Sequence, residues 1–130
     1  MKLISTLITA YAALLAVCGL VLVFAPSEVA ASIGAGGGGE PALVQVLGAA
    51  LLGFAAANWA ARTSVLGGIY GRAVVGGNQV FAFVGVLSLL GGAPEAPGVG
   101  YWVAVALLAA GTVLFSWLLY RGPRIASAEA

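Results

Sequence analysis

Long apolar runs dominate the chain, and short stretches of proline, glycine and charged residues separate them. Four runs reach about 20 residues, the length that an α-helix needs to cross roughly 30 Å of hydrocarbon. Prolines stand just outside the runs, where they can begin or end a helix without breaking one. The pattern predicts an all-α, integral membrane four-helix bundle, one domain of residues 1–130 with spans at approximately 3–25, 42–61, 73–90 and 101–120.

The composition agrees with this pattern. Hydrophobic residues make up 62% of the chain and charged residues only 7%, with a mean hydropathy of +1.13. Soluble domains are roughly 45–50% apolar and 25% charged. The net charge of +1 gives no reason to expect nucleic acid as a partner, so membrane lipid and other membrane chains are the expected ones.

The first apolar run also resembles a secretory signal, because Lys2 precedes it and the small residues "VAAS" follow it. The run is longer than the roughly 7–15 apolar residues of a signal core. We therefore expect an uncleaved first helix.

The few charges predict a direction for the bundle. If four helices alternate, Glu28, Glu40 and Glu95 share one end of the bundle, and all the cations share the other. The positive-inside rule places the cationic end, with both termini, in the cytoplasm. Aromatic residues near both ends of the spans predict interfacial belts. The five cations are Lys2, Arg62, Arg72, Arg121 and Arg124; the aromatics are Trp59, Tyr70, Trp117 and Tyr120 at the cationic end and Tyr101 and Trp102 at the other.

The outer loop 26–41 is rich in glycine, and we expect it to be flexible apart from one short helical turn capped by Ser27.

Small residues recur every four positions on the second predicted helix and therefore lie along one face. A face without large side chains lets two backbones approach closely in lipid. We expect this face to be a packing surface and the helix to be central, although the pattern leaves open whether the partner helix belongs to this chain or to another. Its residues are Gln45, Ala49, Gly53, Ala57 and Ala61.

Polar residues gather between the second and third spans. Asn58 and Asn78 are expected at similar depth on adjacent antiparallel helices, where their amides can bond each other as a clamp. The alternative is a polar pocket, facing the cytoplasm, for an anionic headgroup or a partner's carboxylate. Asn58, Arg62, Arg72, Asn78 and Gln79 would form that pocket.

Reactive side chains are scarce. No Asp, Glu, Lys, Arg or His falls in the deep part of a predicted span, which argues against proton-coupled transport. The chain has no histidine, and its carboxylates are few and scattered, so we expect no metal site, no cofactor and no catalytic residues. The chain is predicted not to be an enzyme.

The segments "FAPSEV", "LVQVLGAALLGFAAANWAAR" and "LGGIYGRAVVGGN" resemble small uncharacterised bacterial four-helix membrane proteins of the DoxX-like kind. The resemblance covers roughly residues 24–90. It implies four helices and a bacterial inner membrane, and it assigns no role to any residue.

These features favour an accessory or assembly subunit that packs against a larger membrane complex or against itself. A small oligomeric channel or carrier for a neutral or weakly charged solute is the first alternative, with Gln45, Asn78 and Gln79 lining a polar path. The second is a binder of lipid, quinone or pigment between helices.

Overall fold

The computed structural model describes residues 2–34, 41–63 and 68–128 of the chain, without the side chains of residues 68–70 and 121–128. These residues form helices and short connections, with no strand among them, which confirms the predicted all-α class. The helices are α1 (Lys2–Phe24), α2 (Pro26–Ser32), α3 (Pro41–Ala61), α4 (Gly68–Gly91) and α5 (Val99–Ala128).

Four helices are long and apolar enough to cross a membrane, as the hydropathy pattern predicts. Large apolar side chains cover much of their outward surfaces; Phe24 and Val99, for example, are both 81% exposed. The candidate spans agree with the predicted ones to within about three residues, although α5 continues as helix beyond its span. They are Lys2–Phe24, Pro41–Ala61, Gly71–Gly91 and Val99–Tyr120.

The short helix α2 follows α1 after a single non-helical residue, Ala25. Ser27 was predicted to cap this helix, but the helix begins at Pro26 and no side chain caps it. Proline suits the first helical position because it has no N–H to satisfy and its φ is already helical. Gly34 ends the turn after α2 with φ of +84°, a conformation that favours glycine. Residues 35–40, the rest of the expected flexible loop, lie outside the described residues.

The long helices pack as two antiparallel pairs, α1 with α3 and α4 with α5. Gly19 of α1 faces Gly48 of α3, and a Cβ on either residue would lie within 3 Å of the other's carbonyl oxygen. In the second pair, a Cβ on Gly85 would lie 3.1 Å from Leu108. The absence of a side chain at these glycines leaves room for the neighbouring helix: for its backbone in the first pair and for the Leu108 side chain in the second.

Aromatic contacts join the two pairs. Tyr11 of α1 meets Phe115 of α5 edge to face, with ring centroids 5.0 Å apart. Gly111 leaves room for the Tyr11 ring, since a Cβ there would lie 2.8 Å from the phenolic oxygen. Phe54 of α3 contacts Phe81 of α4 at 4.6 Å between centroids. The core around these contacts includes Ile4, Ile8, Leu15, Val75, Ala82 and Leu118.

Hydrogen bonds tie the helices together at the end that carries α2. Gln45 donates through Nε2 to the Val23 carbonyl at 3.1 Å, and the Tyr101 hydroxyl donates to the Leu89 carbonyl at 2.7 Å. Tyr101 is therefore a core residue, only 4% exposed. Its hydroxyl therefore finds a partner inside the bundle, in the last turn of α4. Its neighbour Trp102 is 56% exposed.

Candidate functional site

Two asparagines form the polar centre of the described bundle, at the junction of α3 and α4. Nδ2 of Asn58 donates to Oδ1 of Asn78 at 2.8 Å, and Nδ2 of Asn78 donates back to Oδ1 of Asn58 at 3.2 Å. Each amide also donates to the carbonyl four residues earlier in its own helix, Phe54 and Val74 respectively, at 2.8 Å. The two amides therefore bond each other, as the clamp interpretation expects.

Burial explains why this reciprocal arrangement matters. Asn58 and Asn78 are both fully inaccessible to solvent. A buried amide without partners costs about 1–3 kcal/mol, but here both N–H groups of each side chain are used and each oxygen accepts one bond. The pair has no remaining side-chain N–H with which to bind a ligand. Its geometry is that of a hydrogen bond that holds α3 and α4 together.

Gln79 points away from the asparagines and toward α5. Its Nε2 donates to the Ser116 hydroxyl oxygen at 2.9 Å. Its Oε1 is buried and has no hydrogen-bond partner among the described residues. Gln79 thus connects α4 to α5 from a different face of α4 than the amide pair uses. Its Nε2 has a hydrogen-bond partner and its Oε1 has none among the described residues.

Arg62 folds back onto the end of α3. Its Nη1 donates to the Trp59 carbonyl at 2.6 Å, and its guanidinium carbon lies 4.3 Å from the centroid of the Trp59 ring. Arg72 is exposed, in the first turns of α4. The five residues of the predicted polar site therefore separate into three locations: the buried amide pair, the Gln79–Ser116 bridge, and two arginines at the surface of one end.

The small-residue face predicted on the second span is mostly outside the contacts of the bundle. Ala49, Gly53 and Ala57 are exposed, and a Cβ on Gly53 would meet nothing within 4 Å. Ala61 is buried at one end of the face and Gln45 bonds Val23 at the other. α3 instead packs within the chain through Gly48, Ala55 and Asn58, and Ala61 is the one residue of the predicted face that is also buried among them.

The amides proposed to line a channel do not converge. Gln45 bonds the end of α1, Asn78 is enclosed between α3 and α4, and Gln79 faces α5. No group of three or more His, Cys, Asp or Glu side chains that could hold a metal ion occurs among the described residues. The described interior of the bundle contains the Asn58–Asn78 pair and two aromatic contacts between helices.

The contact between Gly19 and Gly48 could not be predicted from the sequence. Both glycines lie inside apolar spans, where a glycine weakens an isolated helix and often serves close packing. That signal singles out neither residue among the 20 glycines of the chain, because it does not show which helix face meets which.

No protein family model matches this chain, and neither the curated proteins nor the solved structures contain a significant match.

Proposed function

We propose that this chain is a non-enzymatic, multi-pass integral membrane protein that acts as an accessory or assembly subunit, packing through α3 against a larger membrane complex or against a second copy of itself. The distribution of cations and the resemblance described above support a bacterial inner membrane with both termini in the cytoplasm. The observation that carries the proposed role is the bare outward face of α3, whose centre is Ala49, Gly53 and Ala57.

The outward face of α5 provides a comparison within the same chain. Val103 and Val113 are 51% and 70% exposed there, and Trp117 is 37% exposed, so large side chains meet the surroundings. On α3 the exposed large side chains lie toward the two ends of the helix, and the middle exposes Gly53 and its alanine neighbours. The large side chains are Leu43, Val46, Leu47 and Trp59. In lipid, helices gain little from hydrophobicity and more from van der Waals packing, which a ridge of small residues favours. The α3 face therefore suits a second helix better than it suits lipid chains.

The interior supports a structural role. Asn58 and Asn78 are the fully buried polar residues of the described part of the chain, and they satisfy each other. Oε1 of Gln79 is the buried side-chain atom that has no partner among the described residues. A catalytic or transport site relies instead on polar groups that remain available to a substrate or ion.

Cysteine cross-linking in native membranes tests this proposal. In a Cys18→Ala background, we expect Gly53→Cys to form cross-links with a second copy or with another membrane chain. Val113→Cys, exposed on α5, is the matched control and should give few cross-links. Equal, low cross-linking at both positions would contradict the proposal.

Purification in mild detergent provides a second test with an internal control. A Cβ at position 53 would meet nothing within 4 Å in this chain, so Gly53→Leu should still fold. The larger side chain should keep a partner helix from approaching closely, so the variant should lose its partner chain. Wild-type protein that purifies as a lone monomer would count against the accessory role. A Gly53→Leu protein that keeps a stoichiometric partner would show that the partner binds elsewhere.

A further inference from the structure

Arg62 is held in a fixed orientation at the end of α3. Two contacts with Trp59 restrain it: a hydrogen bond from Nη1 to the carbonyl and the position of the guanidinium over the indole ring. Arginine normally loses considerable side-chain entropy when it binds a ligand. These contacts have already restricted the side chain, so binding a further group costs less.

The guanidinium retains hydrogen-bonding capacity after these contacts. Arginine carries five N–H donors in a planar fork, and the described residues accept one of them, from Nη1. Arg62 is half-buried, so part of the side chain remains accessible. A planar fork with several donors matches the oxygens of a phosphate group.

The location of Arg62 indicates which phosphate is available. The side chain lies just beyond the Pro41–Ala61 span, beside Trp59, which is 52% exposed. Tryptophan at the end of a span sits at the level of lipid headgroups, where phosphodiesters are concentrated. Lys2 and Arg72 are exposed at the same end of the bundle and strengthen the attraction for anions.

We propose that Arg62, oriented by Trp59, forms a binding site for the phosphate of an anionic phospholipid. This site is separate from the small-residue face of α3, so it holds whether or not that face has a partner chain. Arg72 does not share the site: its side chain is exposed, and no described aromatic ring holds it in place.

Native mass spectrometry of the full chain tests the proposal. The protein is released from vesicles containing equal parts of phosphatidylglycerol and phosphatidylcholine, and its bound lipids are counted. We expect one phosphatidylglycerol to remain on wild-type protein. Arg62→Gln should lower the apparent affinity of the protein for phosphatidylglycerol about tenfold, the loss expected when one charge-assisted hydrogen bond is removed. Arg72→Gln removes the same charge from the same end and should stay within about twofold of wild type.

Conservative variants separate the site from general charge and from folding. Arg62→Lys keeps the charge but loses the fork and the stacked geometry, and we expect it to lose phosphatidylglycerol severalfold, whereas Arg72→Lys should not. The helicity and the thermal midpoint of each variant show whether it is folded. If Arg62→Gln does not fold, the comparison of Arg62→Lys with Arg72→Lys tests the proposal. Equal losses for the two glutamine variants would overturn the proposal. Undiminished binding of phosphatidylglycerol by Arg62→Lys would also overturn it. The same holds if wild-type protein retains an acidic protein chain instead of the lipid.

Discussion

Gly19 and Gly48 bring the backbones of α1 and α3 into direct contact. A Cβ on Gly48 would lie 2.8 Å from the Gly19 carbonyl oxygen, and one on Gly19 would lie 2.9 Å from the Gly48 carbonyl oxygen. Neither clash could be relieved by rotating a flexible side chain, because a backbone oxygen cannot move without moving its helix. The contact therefore sets the distance between the two helices.

Gly48→Ala should consequently destabilise the bundle by about 1–3 kcal/mol, the usual cost of overpacking a tight contact. Gly53→Ala, five residues later on the same helix, is the matched control. It faces open space and should be neutral or slightly stabilising, since alanine favours helix over glycine. Unfolding in detergent micelles measures both variants. Similar stabilities for the two would contradict the backbone contact.

The amide pair predicts a coupling between Asn58 and Asn78. Asn78→Leu leaves the Asn58 amide without its partner in a fully buried position, which should cost about 1–3 kcal/mol. Replacing both asparagines by leucine removes the unpaired group, so the double variant should cost less than the sum of the single variants. The coupling expected for such a bond between membrane helices is about 0.6–2 kcal/mol.

A double-mutant cycle by reversible unfolding measures this coupling. Additive single and double variants would show that the two amides contribute independently. Loss of a bound ligand from Asn78→Leu, with unfolding unchanged, would instead support the pocket interpretation of this region.

Much of the fold could be predicted because it follows from lipid and backbone chemistry. A span must bury its backbone groups within a helix, so apolar length alone located all four candidate spans. Asn58 and Asn78 could be paired because the topology fixes adjacent antiparallel helices and the rise per residue fixes depth.

Helix rotation could not be predicted from the sequence. The small residues of the second span predict a packing surface without showing whether its partner helix lies in this chain, and the structure turns Gly53 outward and Gly48 inward. Almost every position of this helix is apolar, so hydrophobic periodicity does not distinguish the two faces. The bond from the Tyr101 hydroxyl could not be predicted either, because its partner is a backbone carbonyl that a sequence does not reveal.

Gln79 should respond to substitution differently from Asn78. Oε1 of Gln79 is buried and has no partner among the described residues. The free-energy cost of removing this oxygen from water therefore offsets the gain from the bond between Nε2 and Ser116. Gln79→Met keeps the shape and removes both polar groups, and we expect a change within about 0.5 kcal/mol or a small stabilisation. Ser116→Ala removes only the acceptor and should be the more harmful change. Unfolding of the two variants in one detergent makes the comparison; a large loss for Gln79→Met would indicate that Oε1 has a partner.

Tyr101→Phe should loosen the end of the bundle that carries α2. The Leu89 carbonyl lies in the last turn of α4, where carbonyls lack partners within their helix, and the Tyr101 hydroxyl donates to it. Removing the hydroxyl should cost about 0.6–1.7 kcal/mol and act locally. Amide hydrogen exchange should accelerate in the first turns of α5 and stay unchanged around Asn58 and Asn78. Val103→Ala, at an exposed neighbouring position, should alter neither region. Unchanged exchange in α5 of Tyr101→Phe would mean that packing of the ring, rather than the hydroxyl, holds this end together.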